Sequence, residues 1–288
     1  MKKNLSTDEA IERWNEHAEA FTAGYTEEGD RSRRILLNPA IFSLLGHVEG
    51  TEILDAGCGE GYLSRLLERK GAHVTAVDYS TEMLKLAEAK APESSGIHYH
   101  HGNCENLNFL DDRMFDTIVS NMVIQDLEDH TAALRECFRL LKEGGTFVFS
   151  ILHPCFITPG SGWIRDGRGK KEAWRVSGYF LEGVYEQAFP EEAENKVVFY
   201  HRSLTTYMTA IREVGFEIDE MVEPRPTDEL VGEDPEYRED LIHPNFLVFK
   251  LRKGKRGISW CPGLKTVIQQ RTCRVSRHFF VAHWWGGC

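Results

Sequence analysis

Three glycines and two aspartates, set on two successive strand ends, are the residues of this chain best spaced to do chemistry. The stretch ILDAGCGEGYLSRLL, residues 53–67, reads as a strand ending at Asp55, a turn through Gly57, Gly59 and Gly61, and a helix that starts at once. Glycine is needed where the backbone takes positive φ or where a ligand must touch the main chain. A helix start behind such a turn offers unpaired N–H groups and positive potential to a carboxylate or phosphate. A second strand ends at Asp78 in AVDYS, where a carboxylate can accept the hydrogens of both hydroxyls of a ribose. Tyr79, beside it, could lie against an adenine ring. After a third strand, HGNCENL at 101–107 brings polar side chains to the same edge. The loop is G-x-G-x-G preceded by Asp, not the G-x-G-x-x-G of dinucleotide binders, which disfavours a nicotinamide cofactor.

The elements that must hold these residues follow from hydrophobic period. Ser6 and Glu9 have capping-box spacing, and Ile11, Trp14, Ala18 and Phe21 continue at helical intervals; a further helix is predicted over 31–46. From Thr51 short apolar runs at 52–56, 73–77, 97–100, 115–120 and 145–152 alternate with amphipathic segments. The helix carrying Leu134, Cys137, Phe138 and Leu141 is predicted to run to a Gly144–Gly145 stop. Strands at 216–222 and 245–251 follow a helix capped by Ser203 and ended by Gly215. Continuous apolar strands separated by helices imply an α/β fold, a parallel sheet covered on both faces. In such a sheet ligands sit beyond the strand carboxyl ends, where the glycine loop lies.

Residues 153–200 break that rhythm and are predicted to form an inserted lid. Its aromatics Trp163, Trp174, Tyr179, Phe180, Tyr185 and Phe189 could enclose an apolar acceptor or form the lid's own small core. Arg165, Arg168, Lys170 and Lys171 could steer an anion or simply be solvated. His153, just past the fifth strand, is the candidate general base, since an imidazole titrates near neutrality; His201 ranks behind it. His98, His100 and His101 lack nearby partners at zinc spacing and are read as a solvated strand, so no metal is expected.

Taken together, Asp55 with the glycine loop and Asp78 with Tyr79 resemble the class I S-adenosylmethionine-dependent methyltransferases, closest to the small-molecule, type 11-like branch that includes quinone-biosynthesis enzymes. The resemblance runs from about Trp14 to Lys253. It implies a doubly wound, mostly parallel seven-stranded sheet and S-adenosyl-L-methionine as cofactor. It also implies that Asp55 and Gly57-Cys58-Gly59 hold the methionine part and Asp78 the ribose. Tyr79 would flank the adenine, Asn103 and Cys104 would lie at its edge, and Asn121 would line the site. Where the family often has Gly-Asp, this chain has Gly102-Asn103, whose amide can still offer an oxygen. Nucleic-acid methyltransferases often carry an Asn/Asp-Pro-Pro-aromatic motif after the fourth strand; here the place reads Ser120-Asn121-Met122-Val123.

Charge and composition narrow the partners. All 45 acidic residues precede residue 241, whereas nine of the 34 basic ones follow from Lys250 onward. A body that acidic repels a phosphate backbone, so a small-molecule acceptor is expected rather than nucleic acid. An RNA or protein acceptor, a nicotinamide cofactor and a non-catalytic role remain the alternatives. No apolar run approaches the ~20 residues of a membrane helix. Seven cysteines without paired spacing imply free thiols and a cytoplasmic protein. The expected organisation is a helical cap over 1–50, a cofactor domain over 51–253, and a basic, apolar tail over 254–288 that is disordered or non-native.

Overall fold

The computed structural model describes residues 5–187, 196–233 and 235–254. Helix α1, Thr7–Thr22, begins at Ser6, whose hydroxyl accepts from the Glu9 N–H while the Glu9 carboxylate accepts from the Ser6 N–H. The capping box is therefore formed as the spacing predicts. The helix predicted over 31–46 is two pieces: a π-helical turn at Arg33–Leu37, then α2 at Asn38–Leu45. The widened turn carries Ile35, Leu36 and Leu37, all three buried.

The main sheet has seven strands in the order β10-β11-β5-β4-β1-β2-β3. These are β1 Glu52–Ala56, β2 His73–Asp78, β3 His98–His101, β4 Phe115–Asn121, β5 Leu141–Leu152, β10 Phe216–Val222 and β11 Phe246–Lys253. The five strands β5, β4, β1, β2 and β3 are parallel, and β11 runs antiparallel to both β5 and β10. Helices α3 Tyr62–Arg69, α4 Thr81–Lys90, α5 His130–Leu140 and α6 Leu204–Val214 are the crossovers. Ile53, Leu54, Val119, Val148 and Phe149 are fully buried because both sheet faces are covered, each contributing about 1.5–3 kcal/mol. This is the doubly wound architecture that the alternation of apolar runs and amphipathic segments implies.

One boundary differs. Helix α5 ends at Leu140, not at the glycine pair, and Leu141 already has the extended backbone of β5. Pairing with β4 jumps from Phe115↔Leu141 to Thr117↔Thr146, so residues 142–145 form a bulge. Gly145 is required there, since a Cβ would stand 2.9 Å from the Asp116 carbonyl oxygen. The glycines serve a strand irregularity, and the Lys253 ammonium caps the helix instead, donating to the Phe138 and Leu141 carbonyls.

Between β5 and α6 the chain forms two antiparallel hairpins, β6 Gly162–Arg165 with β7 Lys171–Arg175, and β8 Gly183–Glu186 with β9 Val198–His201. Helix α7, Asp228–Glu233, precedes β11. The predicted tail and Phe189 lie outside the described residues, save for Gly254. Among the described residues no helix is long and apolar enough to cross a membrane. Cys58, Cys104, Cys137 and Cys155 are free thiols.

Candidate active site

A cavity with an empty volume of about 870 Å³ opens at the carboxyl ends of β1, β2 and β4. Nine of the ten residues predicted to bind a cofactor line it: Asp55, Gly57, Cys58, Gly59, Asp78, Tyr79, Asn103, Cys104 and Asn121.

The glycine loop is built by backbone demands. Gly57 has φ +82, and its N–H donates to the Val77 carbonyl at 2.7 Å; a Cβ there would lie 2.3 Å from Val123 Cγ2. Gly59 has no atom within 4 Å of where its Cβ would stand, so the space on that side of it is open. Gly61 is the one predicted residue that does not line the cavity. It is the left-handed residue before α3, and a Cβ would meet Tyr99 Oη at 2.8 Å and Ala87 Cβ at 3.1 Å. Its role is close packing of α3 against α4 and β3.

Each aspartate is held by neutral donors. Asp78 accepts from the Gly59 N–H at 2.7 Å and the Ser80 N–H at 2.8 Å. Burial raises its pKa, while those two bonds and the His101 ring oppose the rise. Asp55 accepts from the Ser64 hydroxyl at 2.6 Å. Burial pushes its pKa up to about 7, with the Ser64 bond opposing and the Asp78 charge adding. Glu60, also lining, is ion-paired to Arg65 and Lys90, both at 2.9 Å.

The polar edge residues are held in place as well. The Asn103 amide oxygen accepts from the Glu105 N–H at 2.9 Å. Asn121 donates to Tyr62 Oη and accepts from Ser150 Oγ, fixing its amide orientation. Tyr79 stacks on His101 with centroids 5.4 Å apart, and its hydroxyl donates to Asp8 of α1 at 2.8 Å.

That last bond belongs to the expected helical cap, whose lining residues the sequence reading did not name. Helix α1 lies across the cavity mouth and contributes Ile11, Trp14 and Phe21, with Tyr25 just beyond its end. Ser80 Oγ donates to Asn15, and Thr7 Oγ1 to Glu105, tying the helix to the edge of the site. In the structure the large apolar side chains of α1 stay half-buried, whereas Ala10 and Ala18 are packed inside. Arg33 was also missed. Its guanidinium lines the cavity, paired with Asp30 and set 5.1 Å from the Tyr25 ring centroid and 5.6 Å from that of Phe21. Asp126, in the turn Ile124–Asp126 after β4, is the third.

The structure does not bring His153 to the cavity. It is buried, its Nε2–H donates to Glu223 at 2.9 Å, and its Nδ1 accepts from the Cys155 N–H. Burial lowers its pKa against the pull of Glu223, and neither nitrogen is left to take a substrate proton. His201 is likewise engaged, donating to the Tyr179 carbonyl. Among the described residues of the lid, Trp163 and Trp174 pack on each other and on His243, and none of Trp163, Trp174, Tyr179, Phe180 and Tyr185 lines the cavity. Arg165 donates to the Gly169 carbonyl and Lys171 sits over Trp163, so this basic hairpin organises itself.

Comparison with known proteins gives consistent results. A family profile described as a methyltransferase domain matches residues 54–149. An uncharacterized protein of Haemophilus influenzae is 30% identical over 230 residues, covering 76% of this chain and 87% of its own. A ubiquinone biosynthesis O-methyltransferase of Xanthomonas oryzae pv. oryzae is 38% identical over 105 residues, 36% of this chain and 44% of that enzyme; the match spans under half of its length. The crystal structure of an S-adenosylmethionine-dependent methyltransferase from Mesorhizobium loti superposes with a TM-score of 0.66 at 33% identity, covering 74% of this chain and 96% of that one.

Proposed function

The chain belongs to the class I S-adenosylmethionine-dependent methyltransferases, and from that premise we propose that it methylates a small molecule held between helix α1 and the carboxyl ends of the sheet. It is a methyltransferase, and its cofactor is S-adenosylmethionine. The observation that carries the site assignment is the convergence of nine separately predicted residues on one cavity.

The donor set suits that cofactor. Asp55, Asp78 and Asp126 face the cavity against the single guanidinium of Arg33, an excess of negative charge that favours a sulfonium and an ammonium group. Asp78 keeps acceptor capacity on both oxygens for the two ribose hydroxyls. The loop Gly57-Cys58-Gly59, with Asp55 behind it, receives the methionine part, and Arg33 offers its remaining donors to the carboxylate. Tyr79 flanks the adenine, with Asn103 and Cys104 at its edge, and Asn121 lines the site on the methionine side.

When bound, the cofactor supplies an activated methyl group for direct in-line displacement. The protein aligns the acceptor and keeps water out, an effect that can contribute about 7–11 kcal/mol. The covering helix and the acidic surroundings favour a small acceptor over a polymer. The ubiquinone enzyme's name is consistent with a small acceptor of this kind. Isothermal titration with S-adenosylmethionine and S-adenosylhomocysteine tests the site: micromolar binding lost in Asp78→Ala supports it, and binding unaffected by that change refutes it.

A further inference from the structure

One lid aromatic stands in water. Phe180 is 84% exposed and Leu181, beside it, 62%, which makes Phe180 the most exposed large hydrophobic side chain among the described residues. The turn that carries it is firmly held. The Leu181 N–H donates to the Gly178 carbonyl at 2.9 Å, and Tyr185 Oη donates to the Leu181 carbonyl at 2.8 Å. Tyr179 Oη accepts from the Leu204 N–H at 3.0 Å, and Glu182 Oε1 accepts from the Ser203 N–H and the Thr206 hydroxyl. Bonds on both sides of Phe180 therefore keep the ring outside, where it forgoes the stabilisation of burial.

An apolar groove adjoins this turn. Leu204 and Met208 of α6 and Phe216 and Ile218 of β10 line it, and Arg212 is its one charged lining residue among those described. Strand β10 is the outer strand of the main sheet, and Met208 and Ile218 are 37% and 38% exposed. Tyr179 also lines the groove, and Phe180 packs edge-on against Tyr179 with centroids 4.8 Å apart. The ring thus stands at the rim of a groove that it does not enter.

The projecting turn and the groove are complementary in charge as well. Both bonds to Glu182 use Oε1, so Oε2 has no donor among the described residues, and Arg212 has no hydrogen-bond or ion-pair partner there. An apolar knob with a spare carboxylate oxygen matches an apolar groove with a spare guanidinium. Knob and groove adjoin on one face, so a two-fold axis beside them satisfies both at once. Counting ring and groove wall alike, two inserted rings remove about 600–1,000 Å² from water, about half of the roughly 1,200–2,000 Å² of a stable interface. Leu181 and the rims of both grooves add to it.

We propose that this face is a two-fold dimer interface: Phe180 and Leu181 of each protomer enter the groove between α6 and β10 of a second copy, and Glu182 meets the partner's Arg212. The contact is reciprocal, and it lies on residues that do not line the cofactor cavity.

The test is sedimentation of the full chain over a concentration series, with wild type, Phe180→Lys, Met208→Glu and an equimolar mixture of the two variants. Melting temperatures report folding. Phe180→Lys alters a side chain that is already in water, and Met208→Glu keeps a good helix former in α6. Wild type is expected to sediment as a dimer. Each variant alone should weaken the dimer by at least about 30-fold, the loss typical of a central anchor. Phe180→Lys sets a cation against Arg212 in both contacts, and Met208→Glu sets a carboxylate against Glu182 in both. In the mixed pair one contact is wild type and the other opposes Lys to Glu, so dimerisation should return to within about tenfold of wild type. A wild-type chain still monomeric at about 100 µM overturns the inference. So does a dimer that Phe180→Lys leaves intact, a mixture that stays monomeric, or assembly that grows past the dimer, which would mean an open head-to-tail contact. Should Met208→Glu lower the melting temperature, Ile218→Glu replaces it in the mixture.

Discussion

The backbone N–H of Gly59 donates to Oδ2 of Asp78 at 2.7 Å, tying the glycine loop after β1 to the carboxylate that ends β2. The two motif residues are therefore one unit, and the loop's shape depends on the side chain proposed to hold the ribose. Replacing Asp78 by Ala removes both functions. Loss of charge-assisted bonds of about 1.5–3 kcal/mol corresponds to a rise in Kd of roughly 10- to 150-fold for S-adenosylmethionine by calorimetry. Asp78→Asn, which keeps one oxygen acceptor, is expected to lose less.

Asp55 makes cofactor binding depend on pH. In the free protein its pKa stands at about 7 through burial, and an arriving cation favours the carboxylate and lowers it. Binding then releases a proton below pH 7, so affinity rises with pH toward about 7 and levels off above it. Titrations in buffers of different ionisation enthalpy should detect that proton, and Asp55→Asn should abolish it. Stability moves the other way. Because the folded pKa lies above the unfolded value of about 3.9, the contribution of Asp55 is fully present below that value and is lost as pH rises to about 7.

Gly61→Ala separates packing from binding. It forces a side chain into the left-handed region and against Tyr99 Oη at 2.8 Å, at a cost of about 1–2 kcal/mol for the backbone alone. A lowered melting temperature with nearly unchanged cofactor affinity in the folded protein is the expected outcome. A large loss of affinity at unchanged stability would return Gly61 to the binding site.

The Glu60–Arg65 pair is 1% and 4% exposed at its side chains. Arg65→Met leaves the Glu60 charge buried with only Lys90 beside it, and a loss of about 3–5 kcal/mol is expected in denaturant melts. Changing Glu60 to Gln as well should recover a large part of that loss, since the uncompensated charge is what destabilises.

How much of this was legible differs from element to element. Local signals were enough for the capping box at Ser6 and Glu9, for the strands ending at Asp55 and Asp78, and for the loop between them, because backbone sterics and hydrophobic period act over a few residues. Gly144 and Gly145 misled because a helix stop and a strand bulge ask the same freedom of glycine, and only pairing with β4 distinguishes them. His153 looked available because sequence gives its place after β5 but not Glu223, 70 residues further on, which occupies its ring. Helix α1 and Arg33 are far from Asp126 in the chain, and no motif marks their side chains as cavity-lining; folding brings them together. The sequence by itself determined the sheet, the glycine loop and the acidic character of the body. The tertiary structure decided which side chains are free to act, because a hydrogen-bond partner or a covering helix is set by contacts between distant segments.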